Sequence, residues 1–188
     1  MCNIDEGLVE QHVIHNGLDM QHLAFNNRRN GYVIGYAGAI VPAKGMNEIY
    51  FFLRELRRHG DYKLKMVGLD RIGGRDREYI DYIRKDLPVE QKEEVSNIDD
   101  WLEDIDYLWQ PSHAESFSLI VGEAMAKGIK PIINDFYGSR ELWPEENIYN
   151  DFTSFKAIID APYESDKYRE YAERYSLDKV IEQICQIL

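Results

Sequence analysis

Short apolar segments alternate with amphipathic stretches along most of this sequence, and that alternation limits the possible folds more than any other feature. Four apolar segments bounded by Gly, Pro or Asn are expected to be strands: Tyr32–Ile40, Lys63–Gly68, Ile105–Gln110 and Lys130–Asn134. A weaker fifth strand is expected over Glu93–Asn97. Apolar residues at helical spacing predict helices over Met46–His59, Asp76–Lys85, Ser118–Lys127 and about Asp166–Leu188, the last with a break near Ser176.

Strands and helices that alternate at this spacing predict parallel β-α-β units. The first strand is apolar along almost its whole length, which is typical of a sheet covered on both faces. We therefore predict an α/β fold, with a single Rossmann-like domain over residues 31–188 that contains a parallel sheet of four to six strands flanked by helices. Residues 1–30 do not follow the alternation. His12–Asp19 is expected to form a short strand and a turn, and Asn26–Gly31 a polar loop.

The charge of the chain limits its partners. It has 22 basic and 34 acidic side chains, and 22 − 34 gives a net charge of −12. A domain this acidic is repelled by nucleic-acid phosphates and by anionic lipid, so we expect no nucleic-acid partner. Cys2 and Cys185 form neither a metal motif nor a disulfide framework, which favours a reducing compartment. With no secretory signal and no apolar run of about twenty residues, the sequence predicts a cytoplasmic protein.

The loop after the first strand is a candidate anion site, because ligands of open parallel sheets bind beyond the carboxyl ends of the strands. Gly38 allows the backbone to approach a ligand closely. Lys44 lies where the next helix begins, and a cation is unfavourable there unless an anion such as a phosphate shares the site. A solvated lysine beside a turn is the alternative. The segment is neither a GxGxxG motif nor a P-loop.

The loop after Gln110 has a second set of candidate residues. Ser116 and Ser118 are candidate caps of the helix that follows. The free backbone N–H groups from Phe117 to Ile120 would then point into the cleft and form an anion-binding helix start.

Two glutamates eight residues apart flank this helix start. Glu115 precedes the helix and Glu123 lies in its second turn, so one carboxylate can meet ligand hydroxyls at the tip while the other reaches back from the helix. The alternative makes Glu115 an acid favoured by the helix dipole and Glu123 a solvated surface residue. The neighbours of Glu123 are apolar, however, and a buried carboxylate needs a partner.

The remaining candidates are less informative. Asn97–Trp101 is expected to cap a short helix near the cleft, and Asn134–Glu141 to form a structural turn. The histidines share no ligand spacing, so no metal site is predicted. No serine stands in a nucleophile motif with a histidine partner in view.

These segments, in this order, resemble the C-terminal, donor-binding domain of retaining GT-B glycosyltransferases of the group 1 type (family 4). The resemblance covers nearly the whole chain and is carried by four segments. Val13–Asp19 resembles the family's interdomain segment, Gly35–Gly45 its first phosphate loop and Leu64–Gly68 its second strand. Pro111–Gly128 resembles the paired-glutamate motif with the strand entry after it. The implied reaction transfers a sugar from a nucleotide-sugar with retention. It needs no cofactor and no metal, because cations and helix dipoles meet the charge of the leaving diphosphate.

The resemblance also implies roles for individual residues. Glu115 would contact a sugar hydroxyl of the donor and is the candidate catalytic residue. The other implied roles are Gly38 and Lys44 at the pyrophosphate, the amides of Phe117, Ser118, Leu119 and Ile120 around the sugar and phosphates, Glu123 at the ribose, and Asn97 and Ile98 at the base.

Three differences separate this chain from the family pattern. Ala39 stands where the family commonly has Arg, and Ser118 where it tends to have Gly. The chain also contains nothing that could be the N-terminal, acceptor-binding domain. We therefore expect an isolated half in which residues 1–30 are a remnant of the interdomain linker. Alone, this half is expected not to transfer sugar and to self-associate weakly through the strip that would face the missing domain.

The leading hypothesis is a nucleotide-sugar-binding domain of a hexosyltransferase that builds a polysaccharide or glycoconjugate. The missing domain is the part expected to bring such an enzyme to the inner face of the membrane. An alternative is a non-catalytic Rossmann-like binding module that has lost transfer activity, which Ala39 favours. A flavodoxin-like or dehydrogenase-like cofactor binder is disfavoured, because the sequence has no GxGxxG loop. The base, the sugar and the acceptor are not specified by the sequence.

Overall fold

The structure is a computed structural model that describes residues 12–28 and 30–187. Cys2, and with it the first part of the predicted linker remnant, lies outside the described residues.

A six-stranded parallel sheet forms the centre of the fold, as the alternation predicts. Its strands, in the spatial order β3-β2-β1-β4-β5-β6, are β1 (Val33–Ala37), β2 (Lys63–Val67), β3 (Val89–Lys92), β4 (Tyr107–Gln110), β5 (Lys130–Asn134) and β6 (Ile148–Tyr149). This is the doubly wound Rossmann order, in which the chain changes direction across the sheet between β1 and β4.

Eight helices connect and cover the described strands. They are α1 (Met46–Leu56), α2 (Gly74–Arg84), α3 (Ile98–Glu103), α4 (Leu119–Ala126), α5 (Ser139–Leu142), α6 (Phe152–Asp160), α7 (Ser165–Ala172) and α8 (Leu177–Ile187). The predicted break near Ser176 is confirmed, because a short 3-10 turn over Glu173–Tyr175 separates α7 from α8.

Successive side chains of the central strands point into two separate cores, one on each face of the sheet. Tyr107 and Trp109 of β4 join the core covered by α1, α2 and α6. Leu108, between them, joins the core that includes residues of α3, α4 and α7. The apolar runs that predicted these strands therefore reflect burial on both faces.

The two edge strands on the outside of the sheet were not predicted correctly. The fifth strand expected over Glu93–Asn97 is wrong: β3 ends at Lys92 and pairs only with β2. Its sequence is Val-Glu-Gln-Lys, and an edge strand this polar gives no apolar signal. The two-residue strand β6 was missed because it is too short to show a pattern, and α6 was missed although Asp151 and Ser154 form a capping box at its start.

The segment before β1 packs on the domain. Within the predicted strand of His12–Asp19, only Leu18 forms a bridge, with Ser176. Leu18 is buried, its N–H donates to Tyr175 at 2.7 Å, and its carbonyl accepts from Leu177 at 2.9 Å. These contacts attach the segment to the junction between α7 and α8.

Lys130 is a buried cation in the core covered by α6. Its Nζ donates to the carbonyls of Ile158 at 3.1 Å and Ala161 at 2.7 Å, and it lies 5.2 Å from the centre of the Tyr163 ring. Burial disfavours the charged form and lowers the pKa of Lys130 to about 8.

We expect Lys130 to make stability increase with pH. An unfolded lysine has a pKa of about 10.4, so from about pH 8 upwards the unfolded chain binds the extra proton and the folded chain does not, and the free energy of unfolding rises. Lys130→Met should flatten this rise, measured by urea unfolding at several pH values from 7.5 upwards. The exposed Lys179 provides the control, because Lys179→Met should keep the slope. An unchanged slope in Lys130→Met would contradict the assignment.

Candidate functional site

A cleft of about 240 Å³ lies where the chain changes direction across the sheet, beyond the carboxyl ends of β1 and β4. This is the place where open α/β sheets bind ligands. Its walls come from the end of β1 and the turn after it, the end of β4, and the start of α4. The lining residues are Tyr36, Ala37, Gly38, Ala39, Lys44, Gln110, Ser112, Glu115, Ser118, Leu119 and Ile120.

Six residues singled out from the sequence meet in this cleft. They come from two loops that are far apart in the sequence: Gly38 and Lys44 from the first, and Glu115, Ser118, Leu119 and Ile120 from the second. The other predicted site residues, Phe117, Glu123, Asn97 and Ile98, do not line it.

Lys44 and Glu115 form an ion pair across the cleft, between Nζ and Oε1. Lys44 ends a 3-10 turn over Pro42–Lys44, and Gly45 turns the chain into α1. The Lys44 side chain is 31% exposed and the Glu115 side chain 18%. Both charges are thus partly desolvated and face the same small volume, where a ligand would compete for each of them.

Gln110 was missed by sequence reasoning, although it connects the residues of this cleft. It ends β4 and is buried, its Nε2 donates to Ser118 Oγ and lies 3.4 Å from Glu115 Oε1, and its Oε1 accepts from Ser112 Oγ at 3.2 Å. A polar side chain at the carboxyl end of an otherwise apolar strand was the available signal.

Tyr36 also lines the cleft and was not predicted. Its hydroxyl donates to the carbonyl of Ala39 at 2.7 Å, which secures the turn at the position where the family commonly has Arg. Burial, together with the nearby Glu115 carboxylate, raises the pKa of Tyr36 well above its usual value. The hydroxyl therefore stays protonated and keeps this hydrogen bond.

Ser118 occupies the N-cap position of α4, but the predicted capping role is wrong. Its backbone is left-handed, with φ 69° and ψ 78°, and its hydroxyl accepts from Gln110 instead of capping an amide. A left-handed backbone favours glycine, because a Cβ atom crowds the following carbonyl. The structure thus gives a physical reason for the glycine that the family tends to have here.

This geometry predicts a difference between two substitutions at Ser118. Ser118→Gly and Ser118→Ala both remove the hydrogen bond from Gln110, but only the alanine retains the left-handed strain. We expect the glycine variant to be more stable than the alanine variant by about 1 kcal/mol. Chemical unfolding of both variants measures the difference, and equal stabilities would mean that Ser118 is not strained.

Phe117 lies in the core and not in the cleft. Its ring centre is 5.1 Å from that of Trp143 and 4.9 Å from that of Tyr175. The side chain therefore anchors the start of α4 to the core, and only the main chain of Phe117 remains for a ligand.

The predicted base-binding residues stand at the start of α3, and Glu123 of α4 lies within electrostatic range of Asp99 in that helix. Asn97 caps α3 by accepting from the N–H of Asp99 at 2.9 Å, as the sequence predicted, and Ile98 packs against the core. Burial and the charge of Asp99 raise the pKa of Glu123. Among the described residues, no hydrogen bond or ion pair to the Glu123 carboxylate is found. A separate cleft of about 360 Å³ adjoins Asn97.

In the described part of the chain, no helix is both long enough and apolar enough to cross a bilayer.

The comparisons with known proteins agree with this architecture. A search of curated proteins finds no match. Similar solved structures include a mutant of S. aureus TarM in complex with fondaparinux, alpha-GlcNAc-glycerol and UDP, with a TM-score of 0.77 and 19% identity over 95% of this chain and 40% of that one. Anabaena HepE in complex with UDP and glucose gives a TM-score of 0.73 and 18% identity, over 94% of this chain and 56% of that one. The lipopolysaccharide outer core galactosyltransferase WaaB gives a TM-score of 0.70 and 20% identity, over 92% of this chain and 54% of that one.

At these identities the structural matches establish the fold, which is the Rossmann-like half of a GT-B glycosyltransferase, consistent with the C-terminal domain. The chain spans about two fifths to just over half of the length of these proteins. The sequence itself matches the family model described as glycosyl transferases group 1 over residues 20–179, which is most of its 188 residues. The chain therefore belongs to the group 1 glycosyl transferases.

Proposed function

We propose that this chain is the nucleotide-sugar donor-binding domain of a retaining glycosyltransferase. The observation that carries the proposal is the meeting of Lys44 and Glu115 in one cleft beside the start of α4. A cation, a carboxylate and free helix-start amides are the groups that a sugar diphosphate requires. The family membership and the UDP present in the TarM and HepE structures support the same ligand class.

The diphosphate is proposed to bind between Lys44 and the start of α4. The first N–H groups of an α-helix have no acceptor within the helix, and the helix dipole favours an anion there. In α4 these amides belong to Leu119 and Ile120, which line the cleft with Gly38. As the bond to the sugar breaks, negative charge develops on the leaving diphosphate, and these preplaced groups stabilise it without a metal. The described residues contain no cluster of three metal-type ligands.

Glu115 is proposed to be the catalytic-site residue that contacts a sugar hydroxyl. When the diphosphate engages Lys44, the Glu115 carboxylate loses part of its ion pair and becomes available to the sugar. Glu123 is proposed to bind the ribose hydroxyls, because its carboxylate is partly buried without a hydrogen-bond partner among the described residues. Asn97 and Ile98 are proposed to contact the base of the nucleotide.

We also propose what the whole protein transfers, what it synthesises and how it holds the acceptor. The transferred group is proposed to be a hexose, in the synthesis of a polysaccharide or glycoconjugate in the cytoplasm. Transfer requires an acceptor held in line with the anomeric carbon, and we assign that task to an acceptor domain outside the donor-binding half described here. We therefore propose that the chain alone is inactive in transfer and self-associates weakly.

A non-catalytic binding module is the second candidate, and the turn at Ala39 favours it. The cation that the family commonly has there is absent, and the Ala39 carbonyl is occupied by Tyr36. Such a module would bind without the sugar preference that catalysis requires.

Calorimetric titration with UDP, GDP, ADP and their glucose conjugates tests the proposal. We expect one nucleotide series to bind, with the nucleotide-sugar preferred over the nucleotide, and no binding of NAD or FMN. Glu115→Gln should abolish the sugar preference while the exposed control Glu182→Gln retains it. Binding of none of the nucleotides would overturn the proposal, and binding without a sugar preference in the parent chain would favour the non-catalytic module.

A further inference from the structure

The side-chain amide of Asn134 holds the start of the loop that leads to Glu115. Asn134 ends β5 and is 8% exposed. Its Nδ2 atom lies 3.4 Å from the carbonyl oxygen of Pro111, 3.3 Å from that of Ser112 and 3.0 Å from Nδ1 of His113. One amide from the neighbouring strand thus contacts three consecutive residues of this loop.

These contacts determine which nitrogen of His113 carries its proton. The two carbonyl oxygens can only accept, so the atom of Asn134 that faces them is the amide nitrogen and not the amide oxygen. The same nitrogen donates to His113, whose Nδ1 must therefore be unprotonated. The neutral ring then carries its proton on Nε2.

The loop start is connected to the cleft by further hydrogen bonds. Ser112, whose carbonyl contacts Asn134, donates its hydroxyl to Gln110 at 3.2 Å. Gln110 in turn contacts Glu115 and donates to Ser118. A displacement of the loop start would therefore be transmitted to the carboxylate that faces the ligand.

We propose that Asn134 is a positioning residue for the donor site, which fixes the loop ahead of Glu115 and does so fully only while His113 is neutral. This inference rests on the function proposed above. If Nδ1 of His113 gains a proton, two N–H groups face each other, and the contact with Asn134 is lost.

The charged groups around His113 come from several elements. Glu48 of α1 lies close enough to interact electrostatically with the imidazole. Glu115, in the same loop, is paired with Lys44. Asp135, which follows β5, forms its own ion pair on the surface. Of the groups named here, Asn134 is the one in hydrogen-bond contact with Nδ1, and its N–H can donate only to a ring that is unprotonated at this atom.

UDP-glucose is a suitable probe, because its diphosphate has no group that titrates near neutral pH. Histidine generally changes its charge between about pH 5 and 8. We expect the dissociation constant of the parent chain to rise roughly two- to tenfold as the pH falls through this range, which corresponds to one hydrogen bond. His113→Gln removes the imidazole and should flatten the profile.

Asn134→Asp should reverse the profile. A carboxylate can donate to neither the Pro111 nor the Ser112 carbonyl, so this variant should bind UDP-glucose more weakly than the parent. Protonated His113 becomes the preferred partner of the carboxylate, and acid should therefore recover part of the lost affinity. Asn27→Asp adds the same charge at an exposed position and should leave the parental profile unchanged. A residue that only supported the fold would shift affinity without inverting its pH dependence.

Nitrogen-15 NMR of the imidazole gives a readout that needs no ligand. The parent chain should show His113 with its proton on Nε2, and Asn134→Ala should show a mixture of both tautomers. A parental proton on Nδ1, or a parental pH profile retained in His113→Gln, would overturn the role of Asn134 alone. If UDP-glucose does not bind, the glucose conjugate of GDP or ADP that does bind replaces it as the probe. Failure of the parent chain to bind any of the three conjugates at any pH, with the proton on Nε2, would overturn the proposed function and the donor-site role together.

Discussion

Gly45→Ala is expected to lower the free energy of unfolding by about 2–5 kcal/mol and to weaken nucleotide binding. Gly45 has φ 77°, a left-handed conformation that costs other residues about 1–2 kcal/mol. A Cβ atom at this position would lie 2.5 Å from the main-chain oxygen of Pro111, which cannot move aside as a flexible side chain could. Because the turn after β1 would separate from the loop after β4, the Lys44–Glu115 pair should separate too. Chemical unfolding and UDP titration measure the two effects.

Two other glycines separate the contributions to this loss. Gly74 has φ 57° with no atom within 4 Å of an added Cβ, so Gly74→Ala tests the left-handed conformation without the clash. Gly73 has φ −142° and equally open space, so Gly73→Ala tests neither. We expect the loss of stability to increase from Gly73→Ala to Gly74→Ala to Gly45→Ala. A Gly45→Ala variant no less stable than Gly74→Ala would show that the two loops are not in close contact.

How much of the fold could be predicted depended on where each strand lies in the sheet. The central strands β1, β4 and β5 are buried on both faces, so their apolar runs are visible in the sequence. The edge strand β3 alternates partly buried and exposed residues, and β6 has two residues, so their positions depend on pairing with neighbours and not on composition. Tertiary contacts decided these elements.

The sequence was sufficient to predict the charged residues of the candidate site, because these residues stand in loops at the ends of strands. Lys44 and Glu115 carry charges at strand-to-helix turns, where a charge suggests a ligand, and the structure brings them together. Gln110 and Asn134 act through side-chain amides at the ends of buried strands, and only the three-dimensional arrangement shows which atoms they hold. Positioning residues of this kind give a weak sequence signal, because a single polar residue at a strand end is also typical of an ordinary turn.

Lys44→Ala is expected to weaken binding of UDP about tenfold and binding of UMP much less. A hydrogen bond to a charged group contributes about 1.5–3 kcal/mol, and tenfold corresponds to about 1.4 kcal/mol. We take the lower end because the Lys44 side chain is 31% exposed and water screens part of its charge. Added salt should reduce the difference between UDP and UMP. Calorimetric titrations of both nucleotides at two salt concentrations measure it, with Lys179→Ala as an exposed control.

Because Lys44 is paired with Glu115, the removal of Lys44 has two consequences for the binding of UDP. The diphosphate loses a cation, and the Glu115 carboxylate loses its partner and then repels the diphosphate. Glu115→Gln in the Lys44→Ala background should therefore recover part of the lost UDP affinity. In the parent chain the same substitution frees Lys44 from competition, so UDP should bind at least as tightly. Because the two residues touch, their effects should not add, and the double-mutant cycle measures their coupling. Additive effects, or equal losses for UDP and UMP, would return Lys44 to the role of a solvated surface lysine.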